Sequence, residues 1–223
     1  MRARAPSLPA KSTTTEPFVT HRFIVIEGNN GVGKSTVAAH LETRLGAALF
    51  HYPPAFIRFR DEVEMDEQVP PWPNLVYHLG GTLHLSEIVT QELGSRHVVC
   101  DRYLPGPLSL LRARHGFAEE DMIALCAPFE PGIRKPDVTV LLTASHAKAC
   151  ERIRGRARGG ALRAVERWVL ASSAFFQDRE ASLRHHASRM GPLIEVSTTA
   201  LSAEEASAVV TEQVCLALGL GAP

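Results

Sequence analysis

Residues Gly28-Asn29-Asn30-Gly31-Val32-Gly33-Lys34-Ser35 fill every fixed position of the phosphate-binding template G-x-x-x-x-G-K-[ST]. The template works only between a buried strand and a helix, and both flanks are present. Phe23-Ile24-Val25-Ile26-Glu27 is apolar and β-branched, as a parallel strand covered on both faces should be. Beyond the loop, Val37, Ala38, Leu41 and Leu45 recur at helical spacing. The glycines let the backbone turn until successive N–H groups face phosphate oxygens, and the helix start adds its positive dipole end. Lys34 is placed to neutralise the β- and γ-phosphates of a nucleoside triphosphate. The Ser35 hydroxyl is placed to hold Mg²⁺, and Thr36 follows in the same turn. A glycine-rich turn with no ligand is the competing meaning of the pattern, and the strand and helix beside it argue against that meaning.

Four further strands are expected. Ala47–Tyr52 forms one, ending in Pro53-Pro54, where a proline pair after an aromatic residue can carry a cis bond. His97–Asp101 forms the next and ends in a carboxylate followed by Arg102-Tyr103. A carboxylate at the C-terminal end of a parallel strand lies on the ligand-binding edge, so Asp101 joins Ser35 as a candidate Mg²⁺ ligand. Pro136–Leu142 and Pro192–Val196 complete the set, with Asp137 at the opposite edge and given a structural role. Strands alternating with helices predict a five-stranded parallel sheet sandwiched by helices, an α/β fold. Residues Ile57–Pro73 read as a loop or short helix, and Asn74–Leu93 as a helix interrupted at Gly80-Gly81.

The second chemical feature is a run of arginines. Arg152, Arg154, Arg156, Arg158 and Arg163 fall at the end of a helix opening near Ser145 and in the glycine-containing loop that follows. Arg152 and Arg156 are one turn apart and share a face. Such a segment over residues 152–163 suits a lid that closes on phosphates; a solvated basic face is the alternative. Glu166, Arg167, Trp168, Phe175 and Phe176 follow on what reads as one long helix. The last helix opens on the capping box Ser202-Ala203-Glu204-Glu205 and runs to about Leu218.

Composition narrows the partners. The 24 basic and 24 acidic residues balance, which argues against nucleic acid or a membrane surface as the partner. Cys100, Cys126, Cys150 and Cys215 lack paired or metal-binding spacing, so reduced buried thiols and a cytoplasmic setting are expected. Residues 1–20 contain Pro6, Pro9 and Pro17 and no apolar run, and read as a disordered tail before a domain over 21–220.

Together the glycine loop with Glu27 before it, Asp101-Arg102-Tyr103, Pro136-Asp137 and the arginine-rich segment resemble the thymidylate kinase family of nucleoside monophosphate kinases. The resemblance covers about Phe23 to Leu218. It implies the P-loop NTPase architecture, ATP and Mg²⁺ as cofactors, and transfer of the γ-phosphate to a (deoxy)nucleoside monophosphate. It also assigns Gly28–Thr36 with Arg152 and Arg156 to nucleotide binding. Lys34, Asp101, Arg102, Arg154 and Arg158 become the candidates for transfer, and a homodimer packed through helices is implied.

The acceptor side departs from that pattern. Asn30 stands where the family usually has a carboxylate, and Gly81 appears where it has a base-reading arginine. Leu104-Pro105-Gly106-Pro107 replaces small hydroxyl residues. The segment Glu27–Ser35 is also similar to deoxyribonucleoside kinases, in which the glutamate at this position is the general base on a 5′-hydroxyl. A nucleoside or other hydroxyl acceptor, with Glu27 as base, is therefore the alternative. A chain that binds ATP as a regulator is a third reading. No guanine-reading N-K-x-D pattern supports a GTP switch.

Overall fold

In the computed structural model of the chain, which describes residues 20–54, 65–157 and 161–221, the strand before the glycine loop is the centre of the molecule. The elements in order are β1 (Phe23–Gly28), α1 (Lys34–Leu45), β2 (Ala48–His51), α2 (Met65–Gln68) and α3 (Pro71–Glu92). Then come β3 (Val98–Asp101), α4 (Pro105–His115), α5 (Glu119–Cys126), a 3-10 turn (Ala127–Gly132) and β4 (Val138–Thr143). The chain closes with α6 (His146–Ala157), α7 (Ala164–Ala171), α8 (Ser173–Met190), β5 (Leu193–Ser197) and α9 (Ala203–Leu218). Each strand lies within two residues of its expected bounds. The expected tail, all but its last residue, and Arg158 lie outside the described residues.

The five strands are parallel and ordered β2-β3-β1-β4-β5. β1 is apolar throughout because both its faces are covered. Ile24 and Ile26 point into a core that includes Val37, Ala38 and Leu41 of α1, while Phe23 and Val25 face a second core shared with α3 and α4. The helices after β1 and β3 thus leave from opposite faces. This makes the crevice between those two strands the switch point at which open α/β sheets bind ligands. Register fixes what meets there, with Ile26 opposite Asp101.

Two helical expectations are corrected. α3 runs without interruption through Gly80 and Gly81. Its inward stripe of Leu75, Leu79, Leu85 and Val89 is fully buried, and this packing outweighs a propensity cost of about 1 kcal/mol for each glycine. The single long helix expected after the arginine run is two, α7 and α8. Ser172 adopts an extended conformation between them, and its hydroxyl accepts a hydrogen bond from the Phe175 N–H at 3.1 Å as the N-cap of α8. Phe176 is core, whereas Trp168 and Phe175 are half-buried and meet edge-on.

Other expectations hold locally. The Tyr52–Pro53 bond is cis. Asp137 is structural, accepting from the Phe23 N–H at 2.7 Å. The Ser202–Glu205 capping box is formed. All four cysteines are buried and free. Among the described residues no helix is long and apolar enough to cross a membrane.

Candidate active site

The glycine loop is shaped by what it must pass. Gly28, at φ 143°, would place a Cβ 2.4 Å from the Leu142 carbonyl oxygen, and Gly31, at φ 87°, would place one 2.5 Å from that of Ala149. Only glycine tolerates both the conformation and the approach. The loop is thereby clamped between β4 and α6 before it opens into α1.

Lys34 is buried, and its Nζ donates to the Asn29 carbonyl oxygen at 2.6 Å. Burial first, then the Arg102 guanidinium, hold its pKa well below the ordinary 10.5, against the pull of Asp101 and Glu27. Next to it, the Ser35 hydroxyl donates to Asp101 Oδ2 at 2.7 Å, and the same buried oxygen lies 3.5 Å from Nδ1 of the exposed His51. Asp101 Oδ1 is buried and makes no hydrogen bond. A hydroxyl and a carboxylate with an uncommitted oxygen fit a hard divalent cation such as Mg²⁺, which prefers oxygen ligands. The two residues expected to share the metal are therefore side by side.

Glu27 is wholly buried beneath them. Its Oε1 accepts from the Tyr103 N–H at 2.8 Å, and its Oε2 has no hydrogen-bond partner. Burial raises its carboxyl above the ordinary range; the Tyr103 N–H, Arg102, Lys34 and Arg179 act the other way. A Cβ added to Gly106 would lie 3.6 Å from both carboxylate oxygens, so the turn after β3 closes over this group. Glu27 lines none of the cavities described below.

Arg102 is the one non-glycine among the described residues with positive φ, 78°. Its N–H still bonds the Ile26 carbonyl at 3.0 Å, continuing the β1–β3 ladder, while its side chain turns to Asn30 Oδ1 at 3.0 Å. A backbone held in this sparsely populated region is a feature of functional sites. Sequence reasoning missed the second arginine here. Arg179 of α8 is 2% exposed, and donates to Asn30 Oδ1 at 3.2 Å and Asn29 Oδ1 at 3.4 Å. The signal was present, since Phe176, Arg179 and Leu183 share one inward helical stripe.

The arginine segment divides by role. Arg152 bonds Thr198 Oγ1 at 2.9 Å and the Thr198 carbonyl at 2.8 Å, tying α6 to the loop after β5. Arg156, one turn on, reaches Glu166 at 3.1 Å. Both border a cavity of about 380 Å³ that runs from the glycine loop to Ala203 and Ala206 of α9. Arg154 is exposed on α6 and borders none of the four cavities described here. Arg163, which precedes α7, borders two others. One, of about 600 Å³, is walled by Ser35, Asp101 and α7; the other, about 80 Å³, lies between Tyr52, His78, Leu110 and Arg179. Tyr52 and His78 stack at 5.7 Å along its wall, and the Tyr52 hydroxyl donates to the His78 carbonyl at 2.6 Å. Asn30 and Arg102 border all three cavities, so the spaces meet at these two residues.

Known proteins match this arrangement. The thymidylate kinase family model matches residues 26–167. The thymidylate kinase of Bdellovibrio bacteriovorus is 28% identical over 147 residues, which cover 60% of this chain and 68% of that protein. Among solved structures, thymidylate kinase from Candida albicans superposes with a TM-score of 0.68 at 18% identity, covering 91% of this chain and 94% of its own. Deoxyadenosine kinase from M. mycoides with bound dATP gives 0.62 at 17% identity, covering 86% and 98%. These two share the fold. The sheet, the loop and the family match agree, and the chain belongs to the thymidylate kinase family, a nucleotide kinase phosphotransferase.

Proposed function

We propose that the chain transfers the γ-phosphate of ATP to a (deoxy)nucleoside 5′-monophosphate in a Mg²⁺-dependent reaction. The observation that carries this reading is the position of Arg102 and Asn30 at the junction of the three cavities. The cavity between α6 and α9 would take the ATP, leaving its phosphates against the glycine loop. An acceptor monophosphate would enter from the opposite side. Two anions must then meet, and the group waiting between them is a guanidinium held by a strained backbone.

In this reading Lys34 exchanges its Asn29 carbonyl for phosphate oxygens, and Arg102 neutralises charge where donor and acceptor approach. Ser35 and Asp101 would hold Mg²⁺, whose positive charge would neutralise charge developing on the phosphates. Arg152 braces the ATP cavity, and Arg156 borders it with its guanidinium half free in solvent. Arg154 and Arg158 stay candidates for cations that act once the lid engages substrate. A phosphate acceptor is already ionised, so no base is required of Glu27. Its burial beneath Gly106 and its bond to the Tyr103 N–H suit a residue that sets the Asp101-Arg102-Tyr103 turn.

One observation favours the hydroxyl-kinase alternative, a buried carboxylate with one uncommitted oxygen and a raised pKa. ADP release across paired nucleosides and their 5′-monophosphates separates the two. Turnover with monophosphates alone supports the proposal, and turnover with nucleosides alone replaces it. A homodimer goes with the same reading, with exposed Trp72 and Val76 of α3 as its candidate surface, and light scattering tests it.

A further inference from the structure

At the end of α8 remote from Arg179, a second cluster has no part in this chemistry. Glu119 opens α5, and His185 and His186 lie near the end of α8. His186 is 3% exposed, and its Nε2 lies 2.5 Å from Glu119 Oε2. Yet neither atom makes a hydrogen bond, because the two are close without the alignment a proton needs. His185 supplies a third group, and one ligand atom from each of the three residues lies within 4.8 Å of the others. A buried imidazole and carboxylate in close contact but poor alignment, with another imidazole beside them, present three donors that one cation can share.

We propose that Glu119, His185 and His186 bind Zn²⁺, fastening the first turn of α5 to α8. Two imidazoles and one carboxylate form a donor set that suits this borderline cation, whereas Mg²⁺ prefers oxygen alone. Metal–ligand bonds of about 2.0–2.2 Å need ligand atoms roughly 3–3.5 Å apart, so Glu119 would withdraw slightly from His186 as the ion enters. Its side chain is 21% exposed and can make that shift. With three protein ligands, the fourth position of a tetrahedral site would be left to a water, which exposed His185 leaves solvent free to supply. The site is seven residues, about 10 Å, along α8 from Arg179, so the metal would brace the helix that holds the glycine-loop asparagines.

The test is calorimetric titration of Zn²⁺ into the tag-free full chain with Mg²⁺ in excess, followed by visible absorption of the Co²⁺-loaded protein. His185→Ala and Glu119→Gln are the variants, since His185 is exposed and Glu119 half-buried; circular dichroism without metal verifies that each folds. We expect one equivalent of Zn²⁺ bound despite the Mg²⁺, and the ligand-field bands of four-coordinate Co²⁺. Each variant should bind at least about tenfold more weakly. Asp101→Asn should leave Zn²⁺ binding intact, which separates this site from the one at Ser35. Absence of stoichiometric binding, or binding that survives both variants, overturns the proposal and leaves Glu119 and His186 as a contact between helices.

Discussion

The Ser35 hydroxyl donates a 2.7 Å hydrogen bond to Asp101 Oδ2, joining the first turn of α1 to the end of β3 across the switch point of the sheet. This contact brings together two residues 66 positions apart that were assigned the same metal on separate grounds. Asp101→Asn keeps the size of the side chain and removes its charge. We expect kcat to fall about a hundredfold or more, equivalent to about 2.7 kcal/mol, and the Mg²⁺ concentration for half-maximal rate to rise. A change confined to the acceptor KM would move Asp101 to the acceptor side.

Lys34 should report its burial through protons. Its folded pKa lies below 10.5, so the unfolded chain binds more protons in the window between the two values. Stability therefore rises with pH across that window, and Lys34→Met should flatten the rise. ATP phosphates favour the ammonium and raise the Lys34 pKa back toward its ordinary value, so binding should take up protons in the pH window between the two values. Calorimetry in buffers of different ionisation enthalpy measures the uptake, which the variant should lose along with about a hundredfold or more in kcat. Equal uptake in both proteins would assign the protons to another group.

The phosphate half of the site was legible in the sequence because it is local. Eight consecutive residues specify the loop, and one strand-ending carboxylate adds the metal partner. The half proposed for the acceptor was not, because the residues around it come from α3, α4 and α8 and converge only after folding. Arg179 shows the difficulty. Amid the surface arginines of a helix that also contains Arg184 and Arg189, only its register with Phe176 and Leu183 marks it as inward. The split at Ser172 was hidden for a related reason, since helical spacing continues through it and the cap becomes evident only from its extended backbone.

Arg179 should matter more than its distance in sequence suggests. It donates to both loop asparagines, and Asn29 Nδ2 in turn bonds the Phe176 carbonyl at 2.9 Å, so α8 and the loop hold one another. Arg179→Met should cost about 1–3 kcal/mol in urea unfolding and weaken ATP binding. The control is Arg184→Met, which removes a surface pair with Glu195 and should cost under about 1 kcal/mol with ATP binding unchanged. Equal effects would deny Arg179 its place in the loop.

The lid arginines should separate by face. Arg156 borders the cavity proposed for ATP, and Arg154 is exposed and borders none of the described cavities. Arg156→Ala should raise the ATP KM several-fold, and Arg154→Ala should have the smaller effect at steady state. A larger loss of kcat for Arg154→Ala would mean that the lid turns this residue inward during transfer.

Glu27→Gln tests the acceptor and the fold at once. The folded carboxyl has a raised pKa, so the native state binds more protons than the unfolded chain just above the ordinary carboxylate range. Wild-type stability therefore falls as the pH rises from the unfolded value near 4.5 through the folded one. The glutamine variant lacks that fall, and thermal unfolding should find it relatively more stable at neutral than at acid pH. Its amide oxygen can still accept from the Tyr103 N–H, so transfer to a monophosphate should lose less than about tenfold. A general base on a hydroxyl contributes about 10²–10⁴-fold, and a loss of that size would transfer the chemistry to Glu27 and the acceptor to a nucleoside.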